Sequence, residues 1–588
     1  MKDFFKMLLA TILGLILTPI VAGFIFIIVG IAALSGDNTP KIVPQSVLEL
    51  ELKGAIVERS VDNPFEKYAF PMMYNDRTLG LNTLAAAIKH AKEDDNIEGI
   101  CLNISNFAAS FAVLEELRNC LLDFKASGKF VYAYSEGLSK KAYYLATASD
   151  KVFLHPQGML EFQGLSSEVM FYKGLLDKID LDVQIIRHGT YKSAVEPFML
   201  DKMSEASKEQ VQTYLNSMWD HIVGNISKSR SIDVKKIHTA CDSLLLIGDN
   251  EYAVKNGFID SLLYRDQYEA FLCSQMGINQ KNAVNRVSLK DYKKTIPSSG
   301  YKKDNIAVIY AVGSILDDEG DPRQETIGYS TAEELAKARK DENVKAIVFR
   351  INSGGGSALT SETIWREVDL ARKEKPVVIS MSDYAASGGY YIACAGSYIV
   401  AQPTTITGSI GVFSVIPNFE KLLANKLGIT IDRVTTNPYA DLISVTRKMT
   451  AYERNVLQKN VENFYATFIQ RVADGRNLST TFVDSIGQGR VWSGVDALRL
   501  NLVDTLGGLD VAVAKAAELA NITNYSISEY PVLKEFFQEF VETFLDNSVS
   551  SKLQKSNLYQ TYTYFNFVET ALEIKGVQAR IPYKIEIY

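Results

Sequence analysis

Apolar runs of strand length alternate with helix-period segments twice along this chain. Residues 306–312, 346–351 and 377–382 are nearly continuous apolar stretches rich in Val and Ile, the pattern of strands covered on both faces. Between the first two, Ser330-x-x-Glu333 spells a capping box, which predicts a helix starting there. Strand, helix, strand, helix in that order predicts a parallel sheet with crossover helices, hence an α/β fold. The earlier half repeats the order. Residues 96–100 (NIEGI) match 343–347 (NVKAI), and 143–146 (YYLA) match 390–393 (YYIA), both at an offset of 247. Tyr191 falls opposite Tyr439 at offset 248, and 253–260 (AVKNGFID) opposite 497–504 (ALRLNLVD) at offset 244. Matching strings at nearly constant spacing mark two tandem copies of one unit.

These anchors divide the chain into an N-terminal repeat at 45–270, a linker at 271–304, a C-terminal repeat at 305–525 and a tail at 526–588. In the tail, Phe536, Phe537, Phe540 and Phe544 lie at helical spacing, as a core or oligomer-contact face would. Residues 1–40 are set apart by hydropathy. No charge occurs from Met7 to Leu34, 28 residues, and at about 1.5 Å per residue that exceeds a hydrocarbon layer of roughly 30 Å. The run predicts one transmembrane helix retained as an anchor. Lys2 and Lys6 precede it and Asp37 follows, which orients the N-terminus to the cytoplasm and the remainder to the outer side.

Composition narrows the function classes. A chain of 588 residues exceeds one hydrophobic core, and 47% hydrophobic with 22% charged residues fits a globular body. A formal charge of −7 provides no general attraction to nucleic acid. Five cysteines without a C-x-x-C pair or a histidine at ligand spacing point away from a zinc site and toward structural thiols. Neither a metal nor an organic cofactor is implied.

The differences between the repeats locate candidate chemistry. After its second strand the later repeat reads Asn352-Ser353-Gly354-Gly355-Gly356-Ser357, whereas the earlier reads Ser105-Asn106-Phe107-Ala108-Ala109-Ser110. Glycines let backbone N–H groups converge on an anion or oxyanion, so only the later loop suits such a site. Likewise Asp383-Tyr384-Ala385-Ala386-Ser387-Gly388-Gly389 sets a serine at a strand-to-helix turn, as in a nucleophile elbow, where the earlier repeat has Lys140. Small residues here also suit tight helix–sheet packing; the coincident loss of both loops from one repeat favours catalysis. A serine needs a base. All five histidines (90, 155, 188, 221 and 238) lie in the earlier repeat, which disfavours a Ser-His-Asp triad while leaving His188 open. The other candidate is Lys192, in Tyr191-Lys192-Ser193-Ala194-Val195-Glu196-Pro197-Phe198, opposite Ala440 of the second repeat. To act as a base it must be neutral, which requires burial to lower its pKa by roughly three units from about 10.4, near 4 kcal/mol.

At these strings, together with Thr407-Gly408-Ser409-Ile410-Gly411-Val412, the chain resembles the signal peptide peptidase A (protease IV) family in its long, two-repeat, membrane-anchored bacterial form. The resemblance implies a Clp/crotonase-like α/β fold and a Ser-Lys dyad, with Ser387 as nucleophile and Lys192 as general base. It further implies that Ser409 orients the lysine and that the oxyanion donors are the N–H of Gly388 and one from Gly355 or Gly356. The family loop has a proline where this chain has Gly354. The implied function is degradation of cleaved signal peptides and other extended apolar peptides outside the cytoplasmic membrane, by a homotetramer with one active site per chain. Two other readings are a crotonase-type acyl-CoA enzyme, which shares the paired-amide oxyanion hole, and a non-catalytic membrane scaffold.

Overall fold

The structure, a computed structural model, describes residues 40–60, 78–279, 282–297, 302–533 and 578–580, with Thr11, Gly14 and Thr18. The expected membrane anchor and the phenylalanine stripe of the tail lie outside the described residues; among these, no helix is long and apolar enough to cross a membrane. The first half contributes strands β1 (Ser46–Val57), β2 (Thr78–Gly80), β3 (Ile97–Ala108), β4 (Phe130–Ser135), β5 (Lys151–Leu154), β6 (Asp182–His188), β7 (Ser261–Leu262) and β8 (Asn285–Ser288). The second contributes β9 (Asp304–Val312), β10 (Ser314–Ile315), β11 (Thr326–Ile327), β12 (Val344–Ser353), β13 (Gly355–Ser357), β14 (Val377–Ala386), β15 (Tyr398–Ala401), β16 (Ile406–Gly408), β17 (Val412–Asn418), β18 (Val491–Ser493), β19 (Thr505–Leu506), β20 (Tyr525–Tyr530) and β21 (Gln578–Arg580).

Each repeat builds a largely parallel sheet. In the first the order is β2-β1-β3-β4-β5-β7, with β8 also paired to β1; in the second the path β18-β16-β14-β12-β9-β20 is extended by β15 and β19. The apolar runs sit in register, as strands buried on both faces require: Ile309 lies beside Phe349, and Phe349 beside Ile379. Those side chains pack with Leu335, Ile364 and Val368 of the crossover helices, while Leu50 and Leu102 pack with Leu84, Leu114 and Leu117 in the first repeat. The helix predicted to start at Ser330 spans Tyr329–Lys340 with Gly328 at its N-cap and no side-chain cap. A Cβ on Gly328 would fall 2.2 Å from the Asp318 carbonyl oxygen, so close backbone contact, and not a serine hydroxyl, sets the helix start. The 271–304 stretch contains β8, parallel to β1, and the short helix Leu289–Tyr292. Four of the five cysteines are buried, with Cys120 partly exposed.

A third sheet mixes the halves, in the order β11-β10-β13-β21-β17-β6. Strand β6 of the first repeat pairs antiparallel with β17 of the second over its whole length, from His188 beside Val412 to Asp182 beside Asn418. A buried ionic cluster ties the repeats elsewhere. Arg350, fully buried, donates from Nε to Glu58 Oε2 at 3.0 Å and from Nη1 to Ser380 Oγ at 2.9 Å, and its Nη2 lies 2.6 Å from Glu116 Oε1. Glu58 also accepts from Ser382. Burial pushes the Glu116 carboxyl above the ordinary carboxylate range, while the two carboxylates outweigh burial and raise the Arg350 guanidinium. Arg350→Met would leave two carboxylates buried without their cation, and truncating one side of a buried pair costs about 3–5 kcal/mol. The unfolding midpoint in urea is expected to fall accordingly, whereas a midpoint within error of the wild type would show that the cluster does not hold the repeats together.

Candidate active site

Strand β14 runs through Ala386 into a short helix, Gly388–Ala393, with Ser387 at the junction. Ser387 has φ 56° and ψ −116°, a left-handed conformation that side-chain-bearing residues rarely adopt and that is typical of strained functional turns. Its N–H donates to the Gly408 carbonyl (2.8 Å), and its own carbonyl accepts from the Tyr391 N–H (2.8 Å). The backbone is therefore held on both sides while the hydroxyl takes no part in capping. The first repeat shows the unstrained alternative: Ser139 precedes helix Lys140–Ala146 with φ −65°, and its hydroxyl accepts from the Ala142 N–H as an ordinary cap.

The glycine loop diverges in the same sense. In the first repeat Ala108 ends β3, and Ser110 caps the next helix by accepting from Val113. In the second, β12 stops at Ser353 and the chain kinks into β13, with Gly355 at φ 95°. A Cβ on Gly355 would lie 2.6 Å from the Gly388 nitrogen, and one on Gly388 would lie 3.1 Å from the Gly356 nitrogen. The three glycines thus converge beside the serine because none carries a side chain. The loop with Gly354 is braced by Ser353, whose hydroxyl donates to the Gly313 carbonyl at 2.6 Å and accepts from the Gly355 N–H at 3.1 Å.

Lys192 arrives from the other repeat on the turn after β6. Its Nζ lies 2.7 Å from Ser387 Oγ, 3.0 Å from Ser409 Oγ and 3.3 Å from the Ser409 carbonyl oxygen. Lys192 and Ser409 are each 1% exposed and Ser387 is 0% exposed. Burial alone drives the Lys192 amine well below the ordinary lysine range, because the charged form loses its water and gains no carboxylate. Ser387 Oγ has one further polar neighbour, the Gly411 carbonyl at 3.5 Å. His188 takes no part: it closes β6 and stacks on Tyr465 with ring centroids 4.0 Å apart. Tyr439, aligned with Tyr191 in the repeats, likewise lies in a turn and is half-exposed.

Several residues that hold this arrangement carried no local signal. Gln210 donates to the Tyr191 carbonyl (3.1 Å) and to Ser193 Oγ (3.0 Å), which clamps the turn on both sides of Lys192. Tyr191 N–H donates to the Gln488 carbonyl at 2.9 Å. A Cβ on Gly489 would fall 2.6 Å from the Lys192 backbone, so only glycine there lets the second repeat close onto the turn. Among the described residues, no group of His, Cys, Asp and Glu is arranged to hold a metal ion.

Together these elements offer a buried alcohol against a buried amine whose pKa is lowered, flanked by converging backbone amides. A family model, Peptidase family S49, matches residues 123–278 and 369–523, stretches that hold Lys192 in one and Ser387, Gly388 and Ser409 in the other. Protease 4 of Salmonella typhi is 38% identical over 84% of this chain and 82% of its own length. Protease 4 of Haemophilus influenzae is 34% identical over 87% of this chain and 86% of its own. The chloroplastic serine protease SPPA of Arabidopsis thaliana is 32% identical over 76% and 66%, respectively. With both repeats matched and relatives aligned along most of its length, the chain belongs to peptidase family S49 and is a serine peptidase.

Proposed function

We propose that this peptidase is a membrane-anchored endopeptidase whose nucleophile is Ser387 and whose general base is Lys192, acting on cleaved signal peptides and other extended apolar peptides outside the cytoplasmic membrane. The observation that carries the reading is the 2.7 Å approach of Lys192 Nζ to Ser387 Oγ in a site where the amine has no counter-charge. Neutral Lys192 accepts the Ser387 proton as Oγ attacks the peptide carbonyl carbon, and the amides of Gly388 and Gly356 receive the oxyanion, the Gly355 N–H being engaged by Ser353. The resulting ammonium passes its proton to the leaving amine, and the amine then activates the water that hydrolyses the ester. Ser409, within reach of Nζ through both its hydroxyl and its carbonyl, is a positioning residue that fixes the lone pair toward Ser387. An acyl-CoA role would leave Lys192 unused.

Substrate class follows from the third sheet and the N-terminal hydropathy. Strands β13 and β17 are held one strand apart by β21, a spacing that would accept an extended chain by strand addition in its place and exclude a folded one. The uncharged run from Met7 to Leu34 would keep that slot at the bilayer surface.

A head-to-tail homotetramer completes the proposal. At the offset of 248, β6 corresponds to residues 430–436, which form no strand and are exposed, with Val434 100% and Ile431 43% accessible. Strand β6 crosses to the neighbouring repeat and pairs with β17; its counterpart has no such strand partner among the described residues and would pair with the first repeat of the next copy, generating a ring.

Ser387→Ala is expected to lower peptide hydrolysis about 10⁴-fold or more, and to abolish labelling by a fluorophosphonate; undiminished cleavage would overturn the nucleophile assignment. Lys192→Met should also abolish hydrolysis while raising the unfolding midpoint. Between its lowered folded pKa and about 10.4 the unfolded chain binds the extra proton, so wild-type stability rises with pH across that window and the variant loses that slope. Wild-type activity should correspondingly fall as pH drops through the lowered pKa of Lys192. Ser409→Ala should cost roughly a hundredfold in kcat and move the acidic limb of the pH profile, whereas a purely structural role would leave that limb in place. Sedimentation of Ile431→Asp/Val434→Asp should show dissociated chains where the wild type sediments as a tetramer; an unchanged assembly would exclude this segment from the contact.

A further inference from the structure

One tyrosine of the second repeat touches both ends of the turn that carries Lys192. Helix Ala451–Arg476 lies along strand β6: Arg454 Nη2 donates to the Ile185 carbonyl at 2.8 Å, and Gln458 Nε2 to the Arg187 carbonyl at 3.3 Å. Tyr465 continues the same face, because positions 454, 458 and 465 are separated by close to whole turns of about 3.6 residues. Its buried ring stacks on His188, the last residue of β6, with centroids 4.0 Å apart. Gly189, at φ 105°, then opens the lysine turn.

The Tyr465 hydroxyl reaches the far end of that turn. It donates to Asp484 Oδ1 at 2.6 Å and accepts from the Gln488 N–H at 3.1 Å, while Gln488 Nε2 donates to the same Asp484 oxygen at 2.6 Å. Gln488 has φ 54°, a left-handed conformation that a side-chain-bearing residue keeps only where its surroundings fix it. The bonds to Tyr465 and Asp484 do so. The loop held in this way meets every neighbour of the lysine. The Gln488 carbonyl accepts from the Tyr191 N–H at 2.9 Å, the Gly489 N–H donates to the Ile410 carbonyl at 2.7 Å, and the Arg490 carbonyl accepts from the Ser409 N–H at 2.7 Å. A Cβ on Gly411 would lie 2.8 Å from the Gly489 Cα and 3.3 Å from Lys192 Cδ, so the loop also packs beside the lysine stem. The Arg490 side chain is engaged elsewhere, over the Tyr191 ring and 2.6 Å from Glu209.

We propose that Tyr465, acting through Asp484 and Gln488, is a positioning residue that holds the Lys192 amine against Ser387 and keeps it from water. This inference rests on the Ser387–Lys192 reading above. A tyrosine needed only to fill a core buries its ring and gives its hydroxyl to any acceptor; here ring and hydroxyl both end on the segment that flanks the base. Burial and the Asp484 carboxylate push the Tyr465 phenol above the ordinary tyrosine range, so the hydroxyl keeps the proton that it donates. The arrangement divides the labour between the repeats one step further: the first brings the amine, and the second supplies the frame that sets its position. A loosened frame would let water reach Nζ, and solvation favours the charged form that cannot act as a base.

The test is hydrolysis of an internally quenched apolar peptide across pH by the full chain in detergent, as wild type, Tyr465→Phe, Gln488→Ala and Lys192→Met, with urea midpoints measured alongside. Tyr465→Phe keeps the ring and its stack but loses the hydroxyl. It is expected to lower kcat roughly tenfold with KM within about twofold, and to move the acidic limb of the pH profile to higher pH. Gln488→Ala, which removes one of the two bonds to Asp484, should shift both in the same direction by less. A Tyr465→Phe enzyme with a lowered urea midpoint but the kcat and acidic limb of the wild type makes Tyr465 a core residue alone and overturns the inference; an inactive Lys192→Met beside it leaves the base assignment standing. Should Tyr465→Phe fail to fold, Gln488→Ala decides, and an unmoved limb overturns the inference. Lys192→Met as active as the wild type overturns the base assignment and this inference with it.

Discussion

Burial of one amine without a counter-ion is the constraint on which the site depends. Lys192 is 1% exposed; its Nζ hydrogen-bonds to hydroxyl and carbonyl oxygens and lies over the Phe413 ring. A neighbouring carboxylate would stabilise its charged form and end its usefulness as a base. The fold meets this requirement by placing the lysine in a seam between two separately stabilised α/β layers. The charges that join the repeats are paired with one another, in the Arg350–Glu58–Glu116 cluster and in the Arg490–Glu209 pair.

The seam is made by unlike partners that descend from one pattern. The first repeat retains the sheet, the helices and even a serine before its short helix, but that serine is an ordinary cap. The second repeat exchanges the relaxed cap for a strained turn at Ser387 and a continuous strand for the break at Gly355. Strain of this kind persists only where surrounding hydrogen bonds over-determine the backbone, as those to Gly408 and Tyr391 do here. Divergence after duplication has thus left Lys192 in one half and Ser387 with the glycine loop in the other.

Much of this was legible from the chain alone, for identifiable reasons. The strands at 306–312 and 346–351 announced themselves because burial on both faces demands unbroken apolar runs. Ser387, the glycine loop and Lys192 stood out because each is missing at the matching place in the other repeat. Residues that act across long separations left no such mark. Gln210 and Gly489 contribute through contacts that exist only in the folded chain, and a glutamine or a glycine in isolation looks like any other. Ser330 was misleading because its capping pattern is genuine as a string, yet the tight approach of Gly328 to Asp318 fixes the helix start. Strand β21, three residues long, is too short for any periodicity to reveal.

The alcohol and the amine are 195 positions apart, on different repeats. A ribosome producing this chain therefore releases the lysine turn long before the serine exists, and that turn lacks the Gln488–Gly489 backing that holds it until later still. Unfinished or broken chains carry half a reagent each. The contact between alcohol and amine comes into being only once the second layer has folded against the first, so on the Ser387–Lys192 reading proposed above a half-made chain holds no assembled site.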